Sequence, residues 1–295
     1  MVIRAALVLL LSALPLQLRA AITLTGADGR QLKLDAPAKR IVSLAPDLTE
    51  LVYAAGAGDT LVGTSAYSDY PQAAKRLPRI GDAFRFDMER IVALEPDLIL
   101  AWDGGTPIPV IERLRELHMK VLVIGATDLA DIARNLELIG QATGHTQPAN
   151  SAAQAFLAGL QAIRNQYANR ARVRVFYEIS ATPLYTIGGN QIISRVLDVC
   201  GGSNVFGDLK PRAAAVNLET VLSRDPQAIV TGDTPGATQR LKLWQHWPQL
   251  SAVKTGSLFS ISGDLLDRST PRMLFGAAQL CRDLQQTRER LSGLH

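Results

Sequence analysis

The sequence predicts an α/β fold of two similar lobes joined by a single long helix, and three observations predict it. Short apolar runs bounded by turn residues alternate with helical patterns on both sides of the chain's middle, the alternation that yields parallel strands with crossover helices. Between the two halves, residues 147–170 break that rhythm and read as one helix. Pro148 opens the stretch, and Phe156, Leu160, Ile163 and Tyr167 recur at helical spacing. Finally, Asp87-Met-Glu-Arg-Ile-Val-Ala-Leu-Glu-Pro-Asp-Leu-Ile-Leu100 is echoed by Asn217-Leu-Glu-Thr-Val-Leu-Ser-Arg-Asp-Pro-Gln-Ala-Ile-Val230, each a short helix running into a strand. An internal repeat of this kind makes the two halves versions of one lobe.

Taken in order, residues 1–20 read as a secretory signal peptide. Arg4 supplies the positive start, residues 5–16 are almost wholly apolar, and Leu18-Arg19-Ala20 offers a small residue before a cleavage point at Ala21. The alternative, a membrane anchor, needs an apolar run of about 20 residues, and this one is shorter. No cysteine stands at the cleavage point to take a lipid. A first lobe is expected over 21–146. It opens with a hairpin turning at Asp28-Gly29; strands follow near 40–45, 97–102 and 121–125, with helices near 48–56, 87–95, 107–118 and 128–142. The connecting helix takes 147–171. The second lobe, 172–295, restarts with a strand at 172–179, continues with strands at 228–232 and 257–261, and ends on a helix from about 271 to 291.

Composition narrows the function. Hydrophobic residues make up 47% and charged residues 20% of the chain, enough core material for two lobes. Losing Arg4 and Arg19 with the leader takes the formal charge from +4 to +2. With the remaining basic residues dispersed, nucleic acid is not an expected partner. Cys200 and Cys281 are the only cysteines; in a chain bound for an oxidising compartment their natural reading is a disulfide. No metal site is expected, since His118, His145, His246 and His295 are isolated from one another. Catalytic signatures are also missing: there is no Gly-x-Ser-x-Gly elbow, no His-Glu-x-x-His and no phosphate-binding glycine loop ending in Lys-Ser/Thr. A binding protein is therefore favoured over a secreted enzyme acting on a cleft ligand.

In open α/β sheets ligands collect at the carboxyl ends of the strands. Trp102 closes the strand at 97–102 and leads through Asp103 into Gly104-Gly105; Tyr67 follows another strand end; Tyr185 occupies the matching region of the second lobe. In a chain only 5% aromatic, rings placed there offer apolar faces with polar handles, although each could equally pack beneath its own loop. Glu89 and Glu219 occupy one slot of the repeat, each two residues past a capping Asp87 or Asn217. At that position a carboxylate either serves the helix dipole or presents one matched charge per lobe to a two-fold symmetric partner.

Four strings carry a family resemblance: Arg40-Ile-Val-Ser-Leu-Ala-Pro-Asp-Leu-Thr-Glu50, Tyr67-Ser-Asp-Tyr-Pro71, Met88-Glu-Arg-Ile-Val-Ala-Leu-Glu-Pro-Asp-Leu-Ile-Leu-Ala-Trp-Asp-Gly-Gly105 and Val196-Leu-Asp-Val-Cys-Gly-Gly202. Across residues 39–285 the chain resembles the periplasmic cobalamin-binding proteins of ABC importers, within the class III substrate-binding protein family. The resemblance implies two Rossmann-like lobes on a rigid connecting helix, with cobalamin or a related corrinoid in the cleft as cargo and no resident cofactor. It implies a monomer in the periplasm that delivers to a permease dimer with its ATPase subunits. By position it makes Tyr67, Trp102, Tyr185 and Asp264, Leu265, Leu266, Asp267 and Arg268 cleft residues, pairs Cys200 with Cys281, and turns Glu89 and Glu219 into anchors for permease arginines. The chain departs from the family pattern at Ala83 and Ala213, where pocket tryptophans are expected, and at Leu266, where another aromatic is. Phe84 and Phe86 stand close enough to replace the first ring. Haem or a ferric siderophore is the alternative cargo; haem would want an axial ligand such as Tyr67 or Tyr185.

Overall fold

The computed structural model describes residues 21–233 and 236–293. The proposed leader, residues 1–20, and His295 lie outside them. Strands β1 (Ile22–Thr25) and β2 (Gln31–Leu34) form the antiparallel hairpin expected around Asp28-Gly29. The first lobe is then built on a four-stranded parallel sheet of β3 (Ile41–Ser43), β4 (Leu61–Thr64), β5 (Leu98–Trp102) and β6 (Val121–Ile124), in the order β4-β3-β5-β6. Helices α1 (Pro46–Ala54), α2 (Met88–Ala93) and α3 (Ile108–Glu116) make the crossovers, and α4 (Ala130–Thr143) follows β6. A parallel sheet is covered on both faces, so its strands read as continuous apolar runs. Period two still sorts them: Ile41, Leu98, Leu100 and Leu122 face α1 and α4, while Val42, Ile99, Val121 and Val123 face Ile91 of α2 and Ile111 and Leu114 of α3.

Helix α5 (Thr146–Tyr167) is the connector. At about 1.5 Å per residue it is about 33 Å long, and Pro148 sits in its first turn, where no donor is lost. Its buried stripe is Ala149, Ala153, Phe156 and Leu160. Those side chains join one apolar core that runs without a break from Leu24 in the first lobe to Leu284 in the second. The lobes thus share a core along α5. Gly159 allows the close approach of the terminal helix, because a Cβ there would lie 2.6 Å from a Leu274 methyl.

The second lobe contains β7 (Val173–Ala181), β8 (Leu184–Ile187), α6 (Ile192–Val199), β9 (Gly202–Asn204), β10 (Ala213–Ala215), α7 (Leu218–Arg224), β11 (Ala228–Gly232), α8 (Ala237–Leu243), α9 (Ser251–Lys254), β12 (Leu258–Ile261), α10 (Gly263–Leu266) and α11 (Met273–Ser292). Strands β9, β7, β11 and β12 are mutually parallel in that order, which reproduces the order of the first sheet. Strands β8 and β10 add an antiparallel extension for which the first lobe has no counterpart.

The repeat is physical as well as textual. Asp87 caps α2 by accepting from the Arg90 N–H, and Asn217 caps α7 by accepting from the Thr220 N–H. Both segments leave their helices through a left-handed residue before proline, Glu95 at φ 47° and Asp225 at φ 38°. The Asp97 carboxylate then accepts from the Arg40 N–H, as the Gln227 amide oxygen accepts from the Arg174 N–H. Each arginine also donates back to a carbonyl at the end of the helix. One mechanism therefore sets the entry of the central strand in both lobes.

The Cys200–Cys281 disulfide ties the end of α6 to α11 across 81 residues of sequence. Both cysteines are fully buried. Among the described residues no helix is long and apolar enough to cross a membrane.

Candidate functional site: an aromatic cavity at the strand ends of the first lobe

Three adjacent parallel strands of the first lobe, β3, β4 and β5, end at one cavity of about 190 Å³. Its floor includes Leu44 and Pro46, just past β3. Tyr67, Phe84, Phe86 and Trp102 all contribute to its walls, and Ala83 lies among them.

Each ring is held by its own local device. At the end of β5 the Trp102 N–H donates to the Thr106 hydroxyl while the Thr106 N–H donates to the Trp102 carbonyl. That pair of bonds closes a tight turn through Gly104, at φ +82°, and Gly105, whose absent Cβ would fall within the indole ring. The two glycines let the indole fold back over its own turn. Tyr67 adopts φ 62° and is 77% exposed. Behind it the hydroxyls of Ser43, Thr49, Ser65 and Ser68, all buried, bond one another and fix its loop to β3 and α1. Phe84 is 95% exposed. It is carried on a turn in which Asp82 accepts from the Phe84 and Arg85 N–H groups. Phe86 is half-buried and also packs on the first lobe's outer core.

In the second lobe Tyr185 is exposed on β8 and paired with Ala215 of β10. Two arginine crossings join the lobes. Arg212 donates to the Asp103 carboxylate at 2.7 Å and to the Asp103 carbonyl at 3.0 Å. Arg268 donates to Glu50 at 2.7 Å, Asp69 at 3.1 Å and the Tyr67 carbonyl at 3.3 Å, and pairs with Asp264 at 2.8 Å. Arg272 and Thr270 also donate to Glu50, at 3.1 and 3.2 Å, and the Arg272 guanidinium lies over the Tyr70 ring. Burial works against the charge of Arg268, but its bonds to Glu50 and Asp69 outweigh burial and hold the guanidinium above its ordinary pKa. Beside Pro46, burial pushes the Asp47 carboxyl up to about 6, against the Leu48 N–H that favours its charge.

The structure gathers Tyr67, Phe84, Phe86 and Trp102 on one cavity, while Tyr185 and α10 belong to the second lobe and are not among the residues that line it. It corrects one expectation. Leu266 is fully buried in the shared core and does not line the cleft; on the short α10 its side chain faces Gly276 of α11, whose Cβ would lie 2.9 Å from a Leu266 methyl. Of its neighbours, Asp264 and Arg268 pair with each other, and Asp267 accepts from the Tyr177 hydroxyl at 3.2 Å. Sequence reasoning missed Glu50, Arg272 and Arg212. Glu50 carried a signal, being an acid within the apolar face of Leu48, Leu51 and Val52; Arg212 carried none.

The same architecture has known relatives. Residues 41–265 match the family model described as periplasmic binding protein. The chain belongs to the periplasmic binding protein family. A family member of Vibrio cholerae serotype O1, named vitamin B12-binding protein, is 38% identical over 250 residues, covering 84% of this chain and 90% of the relative. Another of that name, from Yersinia pseudotuberculosis serotype O:1b, is 36% identical over 282 residues, covering 95% of this chain and 92% of the relative. The crystal structure of the periplasmic vitamin B12 binding protein of Vibrio cholerae superposes with a TM-score of 0.80 at 37% identity, over 85% of this chain and 98% of that one. The paired lobes and connecting α5 are the family's scaffold, and the cavity at the strand ends lies within its matched span.

Proposed function

We propose that this chain is the periplasmic substrate-binding subunit of an ABC importer, that it carries cobalamin or a related corrinoid between its lobes, and that it delivers the cargo unchanged to a permease dimer served by ATPase subunits. On this reading residues 1–20 are the exported leader and the working form is a monomer without a cofactor of its own. The observation that carries the proposal is the convergence of Tyr67, Phe84, Phe86 and Trp102 on one cavity at the strand ends. A corrin offers broad faces that such rings can cover, fringed by uncharged amides. The arginines that border the cleft, Arg212, Arg268 and Arg272, are each paired with a carboxylate. That suits an amide-rimmed cargo better than haem propionates or an anionic siderophore, which would compete with those carboxylates.

Trp102 tests the site. Removing an aromatic anchor from a ligand interface costs about 1–3 kcal/mol, roughly 5- to 150-fold in affinity. Calorimetric titration with cyanocobalamin should therefore show Trp102→Ala binding weaker by that range, with its melting temperature near wild type. Unchanged affinity would make Trp102 part of the scaffold.

Glu89 and Glu219 are the proposed anchors. Both are exposed, in the first turns of the equivalent helices α2 and α7, so each lobe offers one carboxylate in the same local frame. Charge reversal at both, Glu89→Lys with Glu219→Lys, should abolish importer-dependent uptake while cyanocobalamin affinity stays at the wild-type value. Salt should weaken wild-type docking, as screening predicts for exposed charges. Normal uptake by the double variant would leave the pair as helix-dipole carboxylates.

A further inference from the structure

The two arginine crossings between the lobes differ in kind. Arg268 and Glu50 have side chains 13% and 2% exposed, and they sit among further donors from the second lobe. Arg212 and Asp103 have side chains 41% and 37% exposed. The first crossing is a buried clasp. The second is the more open to solvent: Asp103 directly follows Trp102, which lines the aromatic cavity, and Arg212 leads into β10 of the opposite lobe.

Local structure is shaped for this contact. The Asp103 N–H donates to the Ile124 carbonyl, so the acceptor is fixed to the end of the first sheet. On the other side the Arg212 carbonyl accepts from the Gly188 N–H, so the donor's backbone is fixed to the extension of the second. Gly104 completes the seat. A Cβ there would come within 2.4 Å of Arg212 Nη1, so a side chain at position 104 would push the guanidinium off the Asp103 carbonyl. Two rigid ends and a two-point contact define one closed geometry. An exposed pair of this type is nevertheless weak, and salt screens it.

We propose that Arg212 and Asp103 form a latch across the cleft mouth that sets the rate at which cargo enters, a proposal that rests on the corrinoid-binding reading for its cargo. The latch holds the free chain closed; cargo enters when it opens. A binding-competent state that is only partly populated lowers the apparent affinity by its population, so weakening the latch should speed association. In stopped-flow mixing with cyanocobalamin, Arg212→Ala and Asp103→Asn should each raise the association rate about threefold, within what an exposed ion pair is worth. The double variant should match Arg212→Ala, which already removes both points of the contact. Wild-type association should accelerate with added salt toward the variants' rate, while the variants stay flat.

A cargo-free measurement keeps the latch testable by itself. The native cysteines are bonded to each other, so spin labels can be attached selectively through Glu116→Cys on α3 and Lys254→Cys on α9. Electron–electron distance measurement should give one narrow population in the otherwise wild-type chain. Arg212→Ala should yield a broader and longer one. Identical distributions overturn the latch whatever the cargo. If wild type fails to bind cyanocobalamin but the distributions differ, the latch stands and the corrinoid reading fails. If Arg212→Ala slows association or speeds dissociation while Asp103→Asn does neither, Arg212 is a ligand contact and the latch is overturned.

Discussion

Replacing both bridge cysteines, Cys200→Ala with Cys281→Ala, is expected to cost about 4–5 kcal/mol of unfolding free energy in the chain-entropy account of a loop this long. The bridge closes 81 residues of sequence, and that segment includes β9 through β12 and α10, most of the second lobe. Without it the unfolded lobe regains the freedom of the whole loop. The native lobe keeps its apolar packing around α6 and α11, so folding persists at lower stability. Urea unfolding read by circular dichroism should show the lower midpoint, and thiol titration of the denatured, unreduced wild type should find no free thiol. An unchanged midpoint, or two titratable thiols, would contradict the bridge.

Glu50→Ala should be nearly as damaging, by about 3–5 kcal/mol, the range for removing one partner of a buried ion pair. Glu50 accepts from Arg268, Thr270 and Arg272, all from the second lobe. Its loss leaves two guanidinium groups facing each other and the Thr270 hydroxyl without its acceptor. Asp69 and Asp264 still pair with Arg268, which holds the expected loss within that range. The double variant Glu50→Ala with Arg268→Ala should recover part of it, since the stranded charge goes too. A single-variant loss below about 1 kcal/mol would mark the clasp as an exposed-type pair.

The elements legible in the sequence were those whose periodicity is strong. The continuous apolar runs that became β5, β6 and β11 could be read because parallel strands are buried on both faces, and α5 because an apolar stripe recurs at helical spacing along a helix of 22 residues. The repeat was legible because two caps and two left-handed turns before proline need the same residue types. What escaped had weak or contrary local signals. β10 is three alanines, which carry no strand preference, and it exists because β8 offers it an edge. α6 is rich in Ile and Val, which disfavour helix slightly, and it is held by burial of its apolar face. Tyr67 and Trp102 could be proposed from strand ends, and Phe84 and Phe86 only as stand-ins for the ring the resemblance implies at Ala83, but not the convergence of the four. Glu50 with Arg268 and Asp103 with Arg212 are contacts across 218 and 109 residues of sequence, and no local pattern announces a partner that distant. Leu266 failed for the same reason: position within the motif suggested the cleft, whereas packing against Gly276 turned it inward.

The central claim, that this chain captures a corrinoid and holds it unchanged, is tested most directly by exporting it in cells supplied with cyanocobalamin, purifying it from the periplasm, and recording its visible absorption and native mass. The account predicts a corrinoid spectrum and a mass increase of one intact corrinoid per chain, released on denaturation with its mass unaltered. A haem spectrum, a chain that stays empty in saturating cyanocobalamin, or recovery of a chemically altered corrinoid would contradict it.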